Sequence, residues 1–174
     1  MHITKSNINE FIKGKTINCS NKGITHIDFI PDGITGLNCW NNKLTELPKL
    51  PDSLTYLDCY NNELTELTKL PDGLIGLYCY DNKLTELPKL PDGLKYLDCD
   101  NNKLTELPKL PNNLKYLDCG DNKLTELPKL PDSLTDLYCY NNNLPYEITI
   151  DNIKEHNNKL ILKKRKLILE KIRI

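Results

Sequence analysis

Seven cysteines, Cys19, Cys39, Cys59, Cys79, Cys99, Cys119 and Cys139, recur every twenty residues, and thiols in such numbers could cross-link, ligate a metal or act as nucleophiles. A column of seven cannot pair completely, and zinc needs four ligands converging on a tetrahedron rather than lying along a line. They read instead as small buried hydrophobes, and an unpaired thiol ladder implies a reducing compartment. In such a compartment the glycosylation pattern of Asn18, Cys19 and Ser20 is idle.

The carboxylates are the second chemical candidate. Asp98 and Asp118 hold the same position in adjacent repeats, with Asp100 close by, and paired carboxylates can share a proton or hold a hard cation. Nothing else converges on them, and on a shallow surface open to water no cleft is expected to shift their pKa values. His2, His26 and His156 are scattered along the chain, and there is no phosphate-binding glycine loop. The sequence therefore offers no catalytic set, no metal site and no cofactor.

The element that positions these residues is a repeat of twenty. Repeats begin at Ile34, Leu54, Leu74, Leu94, Leu114 and Leu134, with a worn one at Gly14, and the consensus is L-x-x-L-x-C-x-x-N-x-L-T-E-L-P-K-L-P-D-x. In the second full copy, strand alternation puts Leu57 and Cys59 inside and Tyr56, Asp58 and Tyr60 outside. Leu54, Leu64, Leu67 and Leu70 complete an inward ring, and rings stacked at about 4.8 Å make the core. Pro48, Pro51 and their equivalents exclude helix on the opposite side and favour turns or polyproline II. The column from Asn42 to Asn142 stands where the chain leaves the strand, placed to satisfy turn backbone groups.

L-x-x-L-x-L-x-x-N-x-L is the leucine-rich-repeat signature, and this chain resembles that family over residues 14–148 with Cys in place of the third Leu. The short L-P-x-L-P half is similar to repeats of secreted bacterial effectors and of mimivirus-like giant DNA viruses. The strand Cys and the loading of Asn, Lys and Ile favour the viral group. The resemblance implies a solenoid with a parallel sheet on its concave side, extended segments on its convex side and a helical C-terminal cap. It implies an architecture rather than an activity. Bacterial relatives often carry a ubiquitin-ligase domain with a catalytic Cys; only about 26 residues follow the repeats here and none is Cys, so that activity is not carried over.

The bounds set by composition agree. A chain of 174 residues is one domain by the usual prior, and its net charge of -1 gives no overall pull toward nucleic acid or acidic membranes. The opening residues lack the apolar run of a signal peptide and no segment approaches a membrane span, so a cytoplasmic protein is expected, in the host cell if viral.

Binding is read from the positions that vary. The outward strand residues include Trp40, Tyr56, Asp58, Tyr60, Tyr78, Tyr80, Tyr96, Asp98, Asp100, Tyr116, Asp118, Asp136, Tyr138 and Tyr140. Eight of the nine tyrosines and the one tryptophan fall in the outward set, which holds no Lys or Arg. Tyrosines also suit strands without binding anything. Rigid aromatic area beside carboxylates on a concave solenoid nevertheless favours a basic protein or peptide as partner and disfavours duplex nucleic acid. The recurring Lys43, Glu46 and Lys49 make a solvated face.

The ends complete the layout. Residues 1–13 form an N-terminal cap, either a turn started by Ser6 and carrying Ile8, Phe11 and Ile12 or a strand with Ile3 and Ile8. Residues 149–174 form a helical cap, started by Thr149 or Asp151, with a stripe of Ile153, Leu160, Ile161, Leu167, Ile168 and Ile172 and a possible break at Asn157 and Asn158. Its task is to cover the last repeat. The run Lys163, Lys164, Arg165 and Lys166 reads first as a solvated helical turn and leaves two alternatives, a nucleic-acid contact and a nuclear address; a third is self-assembly of uncapped ends, although a monomer is favoured.

Overall fold

The computed structural model describes residues 1–172. Of the expected C-terminal cap, residues 173 and 174 and the side chain of Ile172 lie outside the described residues.

Each coil contributes one three-residue strand, and the spacing of twenty sets the register directly. The main sheet runs β2 (Ile12–Lys13), β3 (Thr16–Asn18), β5 (Gly36–Asn38), β6 (Tyr56–Asp58), β7 (Gly76–Tyr78), β8 (Tyr96–Asp98), β9 (Tyr116–Asp118) and β10 (Asp136–Tyr138), in that spatial order. From β3 onward every pair is parallel and in step, Leu57 opposite Leu77 and Leu97 opposite Leu117. The ladder continues past the strand, with Cys59 N donating to Tyr78 O at 2.9 Å. Inward-pointing Leu and Cys side chains close the core: Leu57, Cys59, Leu77, Cys79, Leu97 and Cys99 have no exposed surface. All seven thiols are free; six are buried and Cys139, in the last coil, is half-buried. Burial raises the thiol pKa along the column, to about 11 at Cys19.

Two Asx columns turn the chain out of each strand. Asn62 donates from Nδ2 to the carbonyls of Cys39, Cys59 and Tyr60, while its Oδ1 accepts from Leu44 N at 3.0 Å. Asn102 repeats the pattern one coil pair further on. The residue just before it, Asn41, Asn61, Asp81, Asn101, Asp121 or Asn141, adopts left-handed backbone with φ between 43° and 51°. Asn and Asp tolerate that conformation better than other non-glycine residues. Their side chains also chain together, Asn61 Nδ2 donating to Asn41 Oδ1 at 2.9 Å.

On the convex side residues 45–51 and their equivalents form neither helix nor strand, and Leu54 N donates to Pro51 O to close a turn. Pro48, Pro88, Pro108 and Pro128 hold one position of this segment, and Thr68 holds it in the third coil. The Thr68 hydroxyl is shut off from solvent with no hydrogen-bond partner among the described residues. Thr68→Pro should therefore raise stability by about 1 kcal/mol, by removing an orphan hydroxyl and restricting the unfolded chain. Urea denaturation checks it, and an unchanged or lower midpoint would contradict the account.

The N-terminal cap combines both expected forms. Strand β1 (His2–Ile3) lies parallel to β4 (His26–Ile27), a 3-10 turn spans Ile8–Phe11 with Ile8 and Phe11 buried, and β2 pairs antiparallel with β3. Asn7, not Ser6, starts the turn, its Oδ1 accepting from Thr4 N at 2.8 Å while Ser6 Oγ bonds the Thr4 hydroxyl. Gly14 is not a worn core position but a hairpin turn residue at φ 62°, which its missing Cβ allows.

At the other end Asn152 Oδ1 accepts from Thr149 N at 3.0 Å, and a 3-10 turn at Ile150–Asn152 leads into α1 (Ile153–Ile172). Asn157 and Asn158 do not interrupt this helix. The expected apolar stripe is not what seats it: Ile153 is buried, but Ile161, Leu167 and Ile168 are exposed and Leu160 is half-buried. The seat is polar. Asn157 accepts from Leu130 N and donates to Leu130 O, both at 2.9 Å, and His156 bridges the Tyr146 hydroxyl and Pro128 O. The helix covers the last coil only with its first turns, leaving Leu137, Cys139 and Leu144 half-buried. No described helix is long and apolar enough to cross a membrane.

Candidate functional site

Three columns of side chains cross the outer face of the main sheet, and strand register assigns each residue to its column. The first holds Gly36, Tyr56, Gly76, Tyr96, Tyr116 and Asp136, and the middle one Asn38, Asp58, Tyr78, Asp98, Asp118 and Tyr138. The third, two residues further along each coil, holds Trp40, Tyr60, Tyr80, Asp100, Gly120 and Tyr140. All fourteen predicted residues therefore share one face.

The third column begins as an aromatic stack. Trp40 and Tyr60 lie 5.2 Å apart and 3° from parallel, and Tyr60 and Tyr80 lie 4.3 Å apart at 8°. Stacking at neighbouring strand positions restrains these rings before any partner arrives. Tyr140 does not extend that stack. It crosses over Gly120, where a Cβ would come within 2.6 Å of its ring, and donates its hydroxyl to Asp100 Oδ1 at 3.1 Å. Gly76 makes comparable room for Tyr56, whose ring would stand 2.8 Å from an added Cβ. Glycine at these two places lets aromatic rings lie flat over the sheet.

The middle column corrects the expectation that its carboxylates are freely solvated. Asp58, Asp98 and Asp118 are half-buried among rings from adjoining coils. Burial lifts the Asp58 carboxyl to about 6. It lifts Asp98 to about 7, with repulsion from Asp118, Asp100 and Asp81 adding to the effect and the Asp100 amide opposing it. Asp100 and Asp118 are raised as well, again chiefly by burial. Asp58 Oδ1 is shut off from solvent with no donor among the described residues. The face thus holds partly desolvated carboxylates that form no ion pair among the described residues, an arrangement that attracts cationic side chains. The scattered histidines also need correction, since the pairing of β1 with β4 brings His2 beside His26. His156 stays apart, in the seat of α1.

Comparison with known proteins fits this geometry. The Leucine Rich Repeat family model matches residues 53–77, 93–112 and 113–134. A solved Shigella effector leucine-rich-repeat domain is 32% identical, with a TM-score of 0.72 over 84% of this chain and 67% of that one. The chain belongs to the leucine-rich-repeat family. This leucine-rich-repeat protein is also similar to YopM from Yersinia enterocolitica WA-314, at 35% identity and a TM-score of 0.66 over 78% of this chain. YopM of Yersinia pestis, a leucine-rich effector protein, is 40% identical, with a TM-score of 0.67 over 71% of this chain. The chain spans 35% of the length of each YopM structure. Among curated proteins none matches.

Proposed function

We propose that this leucine-rich-repeat protein is a non-enzymatic interaction module whose concave face grips a basic protein or peptide. The observation that carries the reading is the conjunction on one face of preorganised rings with half-buried carboxylates that form no ion pair among the described residues. A Lys or Arg of the partner would restore the charge balance of Asp58, Asp98 and Asp118, while its apolar neighbours pack on Trp40, Tyr60 and Tyr80. A fixed sheet loses little ordering entropy on contact, so the contacts are kept as affinity. Duplex nucleic acid is disfavoured on this face because its phosphates meet the same carboxylates. The Yersinia pestis and Shigella neighbours are effectors by their names, and a role in a host cytoplasm is in keeping with them and with the free thiols. A giant-virus origin rests on the strand Cys and the composition alone.

Titration against a library of peptides with Lys or Arg beside apolar residues tests the charge selection. Binding should weaken at least tenfold when Asp98 and Asp118 are both changed to Asn, and should weaken with added salt. Equal binding of acidic and basic peptides, or of the wild type and this variant, would contradict it.

A further inference from the structure

Two of the three histidines meet at the N-terminal cap. His2 and His26 are register partners of β1 and β4, and Asp28 lies two residues beyond His26, where strand alternation returns a side chain to the same face. Their rings stand edge to face with centroids 4.7 Å apart. His2 Nε2 is 2.6 Å from Asp28 Oδ1 and His26 Nε2 is 3.6 Å from the same oxygen, so both imidazoles offer the equivalent nitrogen toward one point. The ligand atoms of the three residues all lie within 4.8 Å of one another. On the other side of the His26 ring, Glu46 Oε1 stands 3.6 Å from Nδ1. A slight rotation closes an N–H···O bond there, the device by which a carboxylate fixes the tautomer of a metal-bound histidine.

We propose that His2, His26 and Asp28 bind a zinc ion that staples β1 to the first coil of the solenoid. Two imidazoles and a carboxylate, with a water in the fourth position, are an ordinary ligand set for this ion. A zinc ion about 2 Å from each ligand atom needs them about 3.3 Å apart in a tetrahedron. All three side chains are solvent-accessible, so they can close that gap by side-chain rotation while the backbone stays in register. The site joins residues 26 apart in sequence, and a link across that span removes freedom from the unfolded cap. The hydrogen bonds that already hold the strand, Thr25 N to Met1 O and Asp28 N to Ile3 O at 2.9 Å each, would be the first to gain protection. Zinc would thereby control how firmly the cap covers the end of the core nearest Ile17 and Ile24.

The test is titration of the metal-free full chain with zinc sulfate against a chromophoric zinc indicator, together with hydrogen exchange at Thr25 and Asp28. The expected result is one zinc per chain at micromolar affinity and slower exchange at both amides. His2→Asn, His26→Asn and Asp28→Asn should each weaken binding at least tenfold, and Glu46→Gln should weaken it about tenfold by removing the carboxylate that faces His26 Nδ1. Cys139→Ser should leave binding unchanged, which separates this site from the half-buried thiol. Absence of stoichiometric binding by the wild type, or wild-type affinity in the histidine variants, would overturn the proposal.

Discussion

Asn102→Ala is expected to lower the unfolding free energy by about 3–5 kcal/mol, as much as truncating a buried leucine, although it removes only a small polar side chain. The amide Nδ2 donates to Cys79 O at 3.0 Å, Cys99 O at 3.2 Å and Asp100 O at 3.1 Å, and Oδ1 accepts from Leu84 N at 3.0 Å. Two of those partners belong to the preceding coil, so the side chain fastens coils together as well as closing its own turn. Alanine leaves these buried groups facing an apolar interior with no replacement, and each one stranded costs about 1–3 kcal/mol. In a solenoid whose coils touch only their neighbours, such a break also weakens the coupling between the two halves. Urea denaturation measures it. A loss below about 1 kcal/mol would show that water or relaxation satisfies the groups and that the column is not a structural spine.

Asp98→Asn should act in the opposite direction on stability and against binding. The folded carboxyl is pushed up to about 7, far above the ordinary carboxylate value of 3.8, because burial and the neighbouring Asp118 disfavour its charge. A raised acid pKa means that the folded state holds its proton more tightly than the unfolded one. Stability from this group is therefore complete below about pH 4 and is lost as the pH rises to about 7. Asp58, near 6 in the folded state, adds a second fall over an overlapping range. Replacing Asp98 by Asn should raise the Tm at pH 7.5, change it little at pH 3.5 and flatten the slope between. A lower Tm at pH 7.5 would mean that the carboxylate is already compensated within the fold. For a basic partner the sign reverses, since a cation favours the ionised carboxylate. Affinity should climb as pH rises through about 7, and binding at that pH should release protons into the buffer.

The opposition of those two effects bears on the bland alternative, in which tyrosines merely suit strands. Ring stacking on Trp40, Tyr60 and Tyr80 is explained equally well by sheet stability. The half-buried carboxylates are not, because they weaken the sheet that carries them.

Much of the fold was legible because one period governs it. Leu and Cys at fixed spacing identify the inward face, the prolines exclude helix on the convex side, and stacking in steps of twenty then places every outward residue in its column. What escaped depended on contacts that the period does not encode. The left-handed column from Asn41 to Asn141 is masked because both Asn and Asp occur in it; its signal is the unbroken choice of these two types before each Asn of the column from Asn42 to Asn142. The raised carboxyls of Asp58 and Asp98 come from rings on adjoining coils that cut off water, which alternation along one strand does not reveal. His2 and His26 meet through a pairing outside the main sheet. The helix α1 has a charged, partly apolar pattern suited to a cap, but Asn157 and His156 do the seating through specific backbone bonds, and Leu162 remains 62% exposed.

The most direct measurement of the concave-face assignment is affinity capture from a cell lysate with three baits read side by side. They are the wild type, a concave variant with Trp40, Tyr60, Tyr80, Asp98 and Asp118 changed to Ser, and a helix variant with Lys163, Lys164, Arg165 and Lys166 changed to Gln. The account predicts a basic protein retained by the wild type and the helix variant and lost from the concave variant, with circular dichroism confirming that all three are folded. Retention of the same proteins by the concave variant, or their loss from the helix variant alone, would contradict it and move the binding site to α1.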